Sequence, residues 1–489
     1  MKSAVSLCMI VRNEERNLAD CLAQVDGLVG EIVVVDTGST DHTRLVASAQ
    51  GARVFDFPWC DDFSAARNEA LRHARGEWIL WLDADDRLDE ENRERLAAIV
   101  AGLNGRQVGY AMHCTSVVES AEKLPVLVTH LRLFPAAAGL RWQGRVHEML
   151  GPDDSGRALE VVVSGVTIRH CGYEDGATWR KKLQRNLRLL QLDFALDPDN
   201  AKTLFYLGWS HRFLGNSAEG ERYLRRALHR DPHQREAYRV LAKALLSDGR
   251  PVDAAEICRS GLREFPDDRE LLYWLAQMAA GQNEAEPAES LLQRLLGPSA
   301  ASIYYLSESA DLVSDVRLLL GDVYQRKGRF VESEQQYLAI LKTRADFTSA
   351  WVGLGELYLR MGRWSQFDAA NARLAALPRG RLLAQVQAAR MHLVRQEYAQ
   401  SRRLLDGVLA EDPTLVWPRT VLLELLRLEG ADLEQQLRLA KEILTLDPTY
   451  ALVRTKLDEL EQRRNLRESS ALHPTCGSPL SASCVVIAG

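Results

Sequence analysis

Apolar residues change their spacing once along this chain, near residue 177, and the change divides it in two. Before it, AVSLCMIV (4–11), EIVVVD (31–36), ARVFDFPW (52–59) and EWILWLDAD (77–85) are short apolar runs rich in Val, Ile and aromatic residues, a pattern that predicts buried strands. Helical spacing fills the intervals: Glu14 to Val25, then DHTRLVASAQ (41–50), with Ser39, Thr40 or Asp41 as its N-cap, then DFSAARNEALRHA (62–74). Pro58 lacks the donor that a central strand needs, so the third strand is expected at an edge. Later runs around VGYAMHC, HLRLFP and EVVVSGVTIRH predict an added or antiparallel part. Strand–helix alternation of this kind predicts an α/β domain with a mostly parallel, Rossmann-like sheet over residues 1–176.

Beyond it the pattern is helical throughout. A connecting helix is predicted within 177–200, followed over 201–463 by a repeat of about 34 residues. Asp197-Pro198, Asp231-Pro232 and Phe265-Pro266 recur at that spacing, and Asp412-Pro413 and Asp447-Pro448 continue the series. Trp351, Leu354, Gly355, Tyr358 and Gly362 fit W-x-x-L-G-x-x-Y, and Gly321, Tyr324 and Gly328 echo it one repeat earlier. Small residues at Gly208, Ala242, Gly321 and Gly355 let paired helices approach closely. About seven helix pairs are expected between 201 and 450. Residues 464–489, rich in Ser, Pro and small residues and without periodicity, predict a disordered tail in which Cys476 and Cys484 are exposed.

The net charge of −6, with both signs interspersed, gives no basic stripe, which argues against a nucleic-acid partner. The eight cysteines form no C-x-x-C pair and no zinc spacing, which fits free thiols in a reducing, cytoplasmic setting. Ala4 to Val11 is too short for a signal peptide or a membrane span.

Candidate chemistry gathers where the strands end. The greasy run Ile79 to Leu82 stops at Asp83, Asp85 and Asp86; polar residues also follow strand one (Arg12, Asn13, Glu14) and strand two (DTGSTD, 36–41). Ligands of open parallel sheets bind at the carboxyl ends of the strands. Neither a dinucleotide fingerprint nor a P-loop is present, so a phosphate ligand would need a metal. Asp83 and Asp85, two apart on an extended segment, present paired oxygens suited to Mg²⁺ or Mn²⁺, and Asp36 is placed to accept hydrogen bonds from a base or ribose.

SLCMIVRNEERNLADCL, EIVVVDTGSTDHT, FSAARNEAL and WILWLDADD, in this order, resemble the family 2 glycosyltransferases of the GT-A fold over roughly residues 3–175, and the later repeats resemble the tetratricopeptide family. The combination is similar to the sublancin-type peptide S-glycosyltransferases and related bacterial enzymes. The resemblance implies inverting transfer from a UDP-sugar. It implies Asp36 as a nucleoside contact, Arg67 and Asn68 as donor-site residues, Asp83 as a ribose- or metal-side carboxylate, and Asp85 as the metal ligand. Inverting transfer also needs a base on the acceptor side, and Glu148 in GRVHEML is the candidate, although this segment departs from the Glu-Asp pair of many family members. His170, ending VTIRH, is a candidate further ligand to the metal or diphosphate.

Plainer roles stay open at each position: a turn residue or helix cap for Asp36, an outer helix face for Arg67 and Asn68, a surface pair with Arg145 or Arg141 for Glu148, satisfied histidines at 147 and 170. Two other functions compete with a transferase, a catalytically inactive repeat scaffold and a nucleotidyltransferase, the latter disfavoured by RNEERN where a Gly-rich basic loop belongs. The acceptor is expected to be a peptide, protein or cell-surface glycan, and the repeats are expected to hold a peptide or protein acceptor, with self-association or docking onto a membrane-bound assembly as competing roles. On this reading a chain ending near residue 196 keeps donor hydrolysis and loses transfer.

Overall fold

The computed structural model describes residues 4–103, 108–116, 126–152, 159–171, 176–297, 312–447 and 450–472. Two compact units divide the chain, one holding Met1–Leu246 with Val252–Leu272, the other holding Tyr273–Leu296 and the chain from Val313 onward.

The first unit begins with β1 (Val5–Val11), α1 (Leu18–Gln24), β2 (Glu31–Asp36), α2 (Thr43–Ala49), β3 (Arg53–Asp56), α3 (Phe63–His73), β4 (Trp78–Trp81), β5 (Asp86–Arg87) and α4 (Glu90–Ala101). It continues with β6 (Val108–Ser116), β7 (Val126–Pro135), β8 (Leu140–Gln143), β9 (Met149–Pro152) and β10 (Glu160–His170). Eight strands form one sheet in the order β3-β2-β1-β4-β7-β6-β10-β5, while β8 and β9 form a separate antiparallel pair. The sheet is mixed: β3, β2, β1 and β4 run parallel, and β7 enters antiparallel to β4.

Both faces are covered, which is why the early strands read as unbroken apolar runs. Val5, Leu7, Met9 and Val11 point to one side with Leu18 and Leu22 of α1, Ala47 of α2 and Leu96 of α4. Cys8 points to the other with Val33, Val35, Ala70 of α3, Trp81 and Trp142. Alternation along a strand makes the two sets.

The structure corrects the expected boundaries at several points. The third strand, at the sheet edge, is only Arg53–Asp56. The first helix starts at Leu18 rather than Glu14, because Glu14–Asn17 form a turn closed by Asn17 N–H to Glu14 O at 3.0 Å. The fourth strand stops at Trp81, so Asp83 and Asp85 lie in a turn and not on an extended segment; Asp86 N–H closes that turn on Asp83 O at 3.0 Å.

Helices follow: α5 (Gly176–Leu196), α6 (Ala201–Phe213), α7 (Ser217–Arg230), α8 (Arg235–Ser247), α9 (Pro251–Glu264) and α10 (Arg269–Gly281), with pairs continuing through Leu433–Leu446 and a last helix at Ala451–Leu472. Seven pairs lie between residues 201 and 446 among the described residues. The recurring Asp-Pro sits in the turns between pairs. Asp197, Asp231 and Asp412 each accept the N–H two residues on, an Asx turn that stops one helix and aims the next. Gly208 is required by close approach: a Cβ there would lie 2.7 Å from Leu224 Cγ and 2.9 Å from Gly220 O. The final helix continues to Leu472, where a disordered tail was expected from 464; Cys476, Cys484 and Pro448 lie outside the described residues. Among the described residues no helix is long and apolar enough to cross a membrane.

Candidate active site

The carboxyl ends of β1, β2 and β4 lie side by side, Val11 opposite Asp36 and Cys8 opposite Trp81. Over β1 and β2 the two polar loops are stapled together. Ser39 Oγ accepts Asn13 N–H at 2.9 Å, Asn13 Oδ1 accepts Thr40 N–H at 2.8 Å, and Thr43 Oγ1 accepts Glu14 N–H at 2.7 Å. Gly38 at φ +103° makes the turn, a conformation that side chains resist. Asp36 is 3% exposed, and its Oδ1 accepts both Ser39 N–H (3.0 Å) and Ser39 Oγ–H (2.6 Å). Its carboxylate organises the DTGS turn in this structure, the plainer of the two roles open to it.

The second part is built on the turn after β4. Asp86, 1% exposed, accepts Arg132 Nη1 and the Asp83 N–H, both at 2.9 Å. Arg132 comes from β7, lies 3.7 Å above the Trp81 ring centroid and is 2% exposed. His170, ending β10, brings Nδ1 to 3.0 Å from Asp86 and 3.3 Å from Asp85. Asp83, Asp86 and His170 offer ligand atoms within 4.8 Å of one another.

The third part is Arg67, packed against the rings of Trp81 and Trp142 at 4.8 and 4.9 Å, the two indoles themselves meeting edge to face. Its Nη2 donates to Asp83 Oδ1 at 2.9 Å and its Nε to Glu148 Oε1 at 2.7 Å. One guanidinium therefore bridges the turn after β4 and the loop between β8 and β9. Arg67 is not on an outer helix face, and Glu148 pairs with neither Arg145 nor Arg141. Glu148 is 13% exposed at its side chain, and Oε2 has no hydrogen-bond donor among the described residues. Asn68, expected at the donor, instead spends both ends of its amide on the Trp142 backbone, donating to O at 2.9 Å and accepting from N–H at 3.0 Å. It holds β8 in place.

Charge does not balance evenly over this cluster. Burial alone would raise the Asp83 carboxyl, but Arg67, then Arg132 and His170, hold it well below the usual range. Asp85 is pushed up to about 6, first by burial and then by Asp83 and Asp86, against the pull of His170 and Lys182. His170 would be lowered by burial, yet the Asp86 hydrogen bond and the Asp85 and Asp83 charges raise it. A buried carboxylate with unrelieved charge, two further carboxylates and an imidazole are a donor set that fits Mn²⁺ or Mg²⁺. Asp86 is already saturated by Arg132 and the turn, so Asp83, Asp85 and His170 have the better access to an ion.

Two residues of this arrangement were missed by sequence reasoning. Asp86 was read only as a strand end. Arg132 had a signal, a lone arginine at the centre of the apolar run HLRLFP, whose charge demands a buried partner.

Comparison with known proteins agrees with this architecture. Residues 6–119 match glycosyl transferase family 2, and 205–269, 245–307 and 318–366 match tetratricopeptide repeats. A TPR repeat-containing protein of Synechococcus elongatus is 35% identical over 318 residues, 63% of this chain and 70% of that protein. The SPbeta prophage-derived glycosyltransferase SunS of Bacillus subtilis is 28% identical over 230 residues, and the match spans 45% of this chain and about half, 52%, of that relative. A solved tetratricopeptide repeat protein from Parabacteroides merdae aligns with 53% of this chain and 98% of its own at 14% identity, TM-score 0.44.

Proposed function

Because the chain belongs to the family 2 glycosyltransferases that carry tetratricopeptide repeats, we propose that it moves a sugar from a UDP-sugar to a peptide or protein acceptor, with inversion and with a divalent cation. The observation that carries the reading is the Arg67 bridge, which ties a donor-side carboxylate, Asp83, to an acceptor-side carboxylate, Glu148, in one buried array.

Asp83, Asp85 and His170 would hold Mn²⁺ or Mg²⁺, and the ion would stabilise the charge that grows on the departing nucleoside diphosphate. Glu148 then acts on the other side. With Oε1 fixed by Arg67, Oε2 takes the proton of the acceptor hydroxyl or thiol as that atom bonds to the anomeric carbon. The bond from that carbon to the diphosphate breaks on the opposite face, and its electron pair leaves with UDP. Arg67, packed against two indoles, keeps both carboxylates oriented through the displacement. The DTGS turn, set by Asp36, lines the nucleoside end. The repeats bind the acceptor, which explains a chain more than half helical array behind a sugar-transfer domain.

The test is incubation of the full chain with UDP-glucose, UDP-galactose, UDP-N-acetylglucosamine and GDP-mannose plus Mn²⁺, following nucleotide release and mass shifts of proteins in the source lysate. Turnover of a UDP-sugar that stops with EDTA supports the reading; undiminished turnover in EDTA refutes the cation, and no turnover of any donor refutes the transferase.

A further inference from the structure

The loop that carries Glu148 is gripped from two sides. On the sheet side, Ser64 Oγ donates to Gly144 O and Phe63 N–H donates to Arg145 O at 2.9 Å, both from the first turn of α3. On the other side stand α5 and α6, the first helices of the repeat region. Arg145 Nε pairs with Asp193 of α5 at 3.0 Å. The His147 ring lies flat on Tyr206 of α6, centroids 3.9 Å apart and planes 1° from parallel. A Cβ on Gly144 would sit 3.7 Å from Lys202 Nζ.

Lys202 and Tyr206 are four residues apart, hence one above the other on the same face of α6. That face therefore covers residues 144–148. Tyr206 stacks on His147, the neighbour of Glu148. Lys202 places its ammonium, partly buried, over the same loop, with no hydrogen bond or ion pair at bonding distance among the described residues. Burial lowers its pKa, while Glu148 and then Asp193 are the charges that favour the ammonium. Two cations of different origin thus serve the loop that carries Glu148, Arg67 from α3 in direct contact with its carboxylate and Lys202 from α6 over Gly144.

We propose that the first repeat helix is part of the catalytic centre, with Lys202 a positioning residue whose ammonium, held over residues 144–148, keeps the Glu148 carboxylate in place beside Arg67. The inference rests on Glu148 being the acceptor-side base. It also reverses the expectation that a chain ending near residue 196 keeps donor turnover, because such a chain lacks Lys202, Tyr206 and the wall they form over the loop.

The test is a double-mutant cycle in the full chain, reading UDP release from UDP-glucose, UDP-galactose and UDP-N-acetylglucosamine with Mn²⁺, and circular dichroism for folding. Lys202→Met keeps the apolar stem and removes the charge. It is expected to lower kcat about 10-fold with donor KM within about 2-fold, Lys202→Arg to recover most of that loss, and Lys202→Met added to Glu148→Gln to cost less than about 2-fold more. Should Lys202→Met fold poorly, Lys202→Gln takes its place with the same expectation. Wild-type kcat in the neutral variant, equal damage from Lys202→Arg, or a full 10-fold loss persisting beside Glu148→Gln would each overturn the proposal. Full activity of Glu148→Gln itself would instead sink the base assignment, whatever Lys202 does. Absence of turnover with every donor in the unaltered chain would remove both.

Discussion

Arg132 and Asp86 meet at 2.9 Å inside the sheet, and Arg239 and Asp268 meet at 2.9 Å among the repeat helices; none of the four side chains is more than 3% exposed. The surroundings of the two pairs differ. Asp268 turns Oδ1 to the Leu271 N–H at 3.1 Å and so caps α10, and its neighbours are Arg235, Glu236 and Glu270, all on helices that start beside it. Asp86 opens β5, directly after the turn that carries Asp83 and Asp85 and beside His170 of β10. Each region also contains a carboxyl that burial pushes well up: Asp85, to about 6, and Glu270, to about 7. A buried ion pair is thus no mark of function by itself. What separates the regions is the setting of the strained carboxyl: Asp85 stands beside His170 in a cluster of carboxylates and an imidazole, whereas Glu270 stands beside Arg239 among helices.

The sharpest way to break that comparison is Asp85→Ala. Donor turnover is expected to fall about 10³-fold or more while the melting curve stays close to the original, since this carboxylate orders no backbone and its loss removes a desolvated charge. A large loss of melting temperature instead would make Asp85 a structural residue like Asp268.

Asp268→Ala should do the opposite. Leaving Arg239 buried without its partner is expected to cost about 3–5 kcal/mol in denaturant unfolding, with UDP release per folded molecule nearly unchanged. Strong loss of donor turnover in the folded fraction would refute the separation.

Glu148→Gln is expected to lower transfer about 10²-fold with donor affinity nearly unchanged, as befits a base acting on the acceptor. Weakened UDP-sugar binding, measured by calorimetry, would move Glu148 to the donor side.

The smallest effect belongs to Glu270. Its folded pKa lies above that of an unfolded glutamate, so the folded state binds more protons between about pH 4.3 and 7, and stability falls as pH rises through that window. Burial is the main cause, with Glu236 and Asp268 adding to it and Arg239 opposing. Glu270→Gln is expected to stabilise the chain by about 1 kcal/mol at pH 8 and by almost nothing near pH 4, compared by thermal melts. Equal shifts at both pH values would show that its charge is not strained.

Much of this molecule was readable from local pattern. Two-residue and three-to-four-residue periodicities are properties of neighbouring side chains, so β1, β2, β4, α3 and the helix pairs were visible without tertiary knowledge. The loops after β1, β2 and β4 stood out because DTGSTD and DADD are polar where the flanking runs are apolar. The turn after β4 was misread as extended because its shape is set by Asp83 N–H reaching Asp86, a contact with no periodic signature.

The chain's own order of residues determined two domain types, a parallel half-sheet and a helical repeat, and it marked Asp83, Asp85 and Asp36 as carboxylates out of place among apolar neighbours. Only the tertiary structure decided what those carboxylates meet. Arg67 finds Glu148 from 81 residues away, His170 finds Asp86 from 84, and Arg132 finds Asp86 from 46. Tertiary structure likewise joined the Asn68 amide to the Trp142 backbone, and set Tyr206 of the repeats on His147. The reason is physical: side-chain periodicity is written within one helix or strand, whereas the partner of a buried charge is chosen by which elements pack together, and a charge placed in a low-dielectric interior must be met by whatever that packing brings to it.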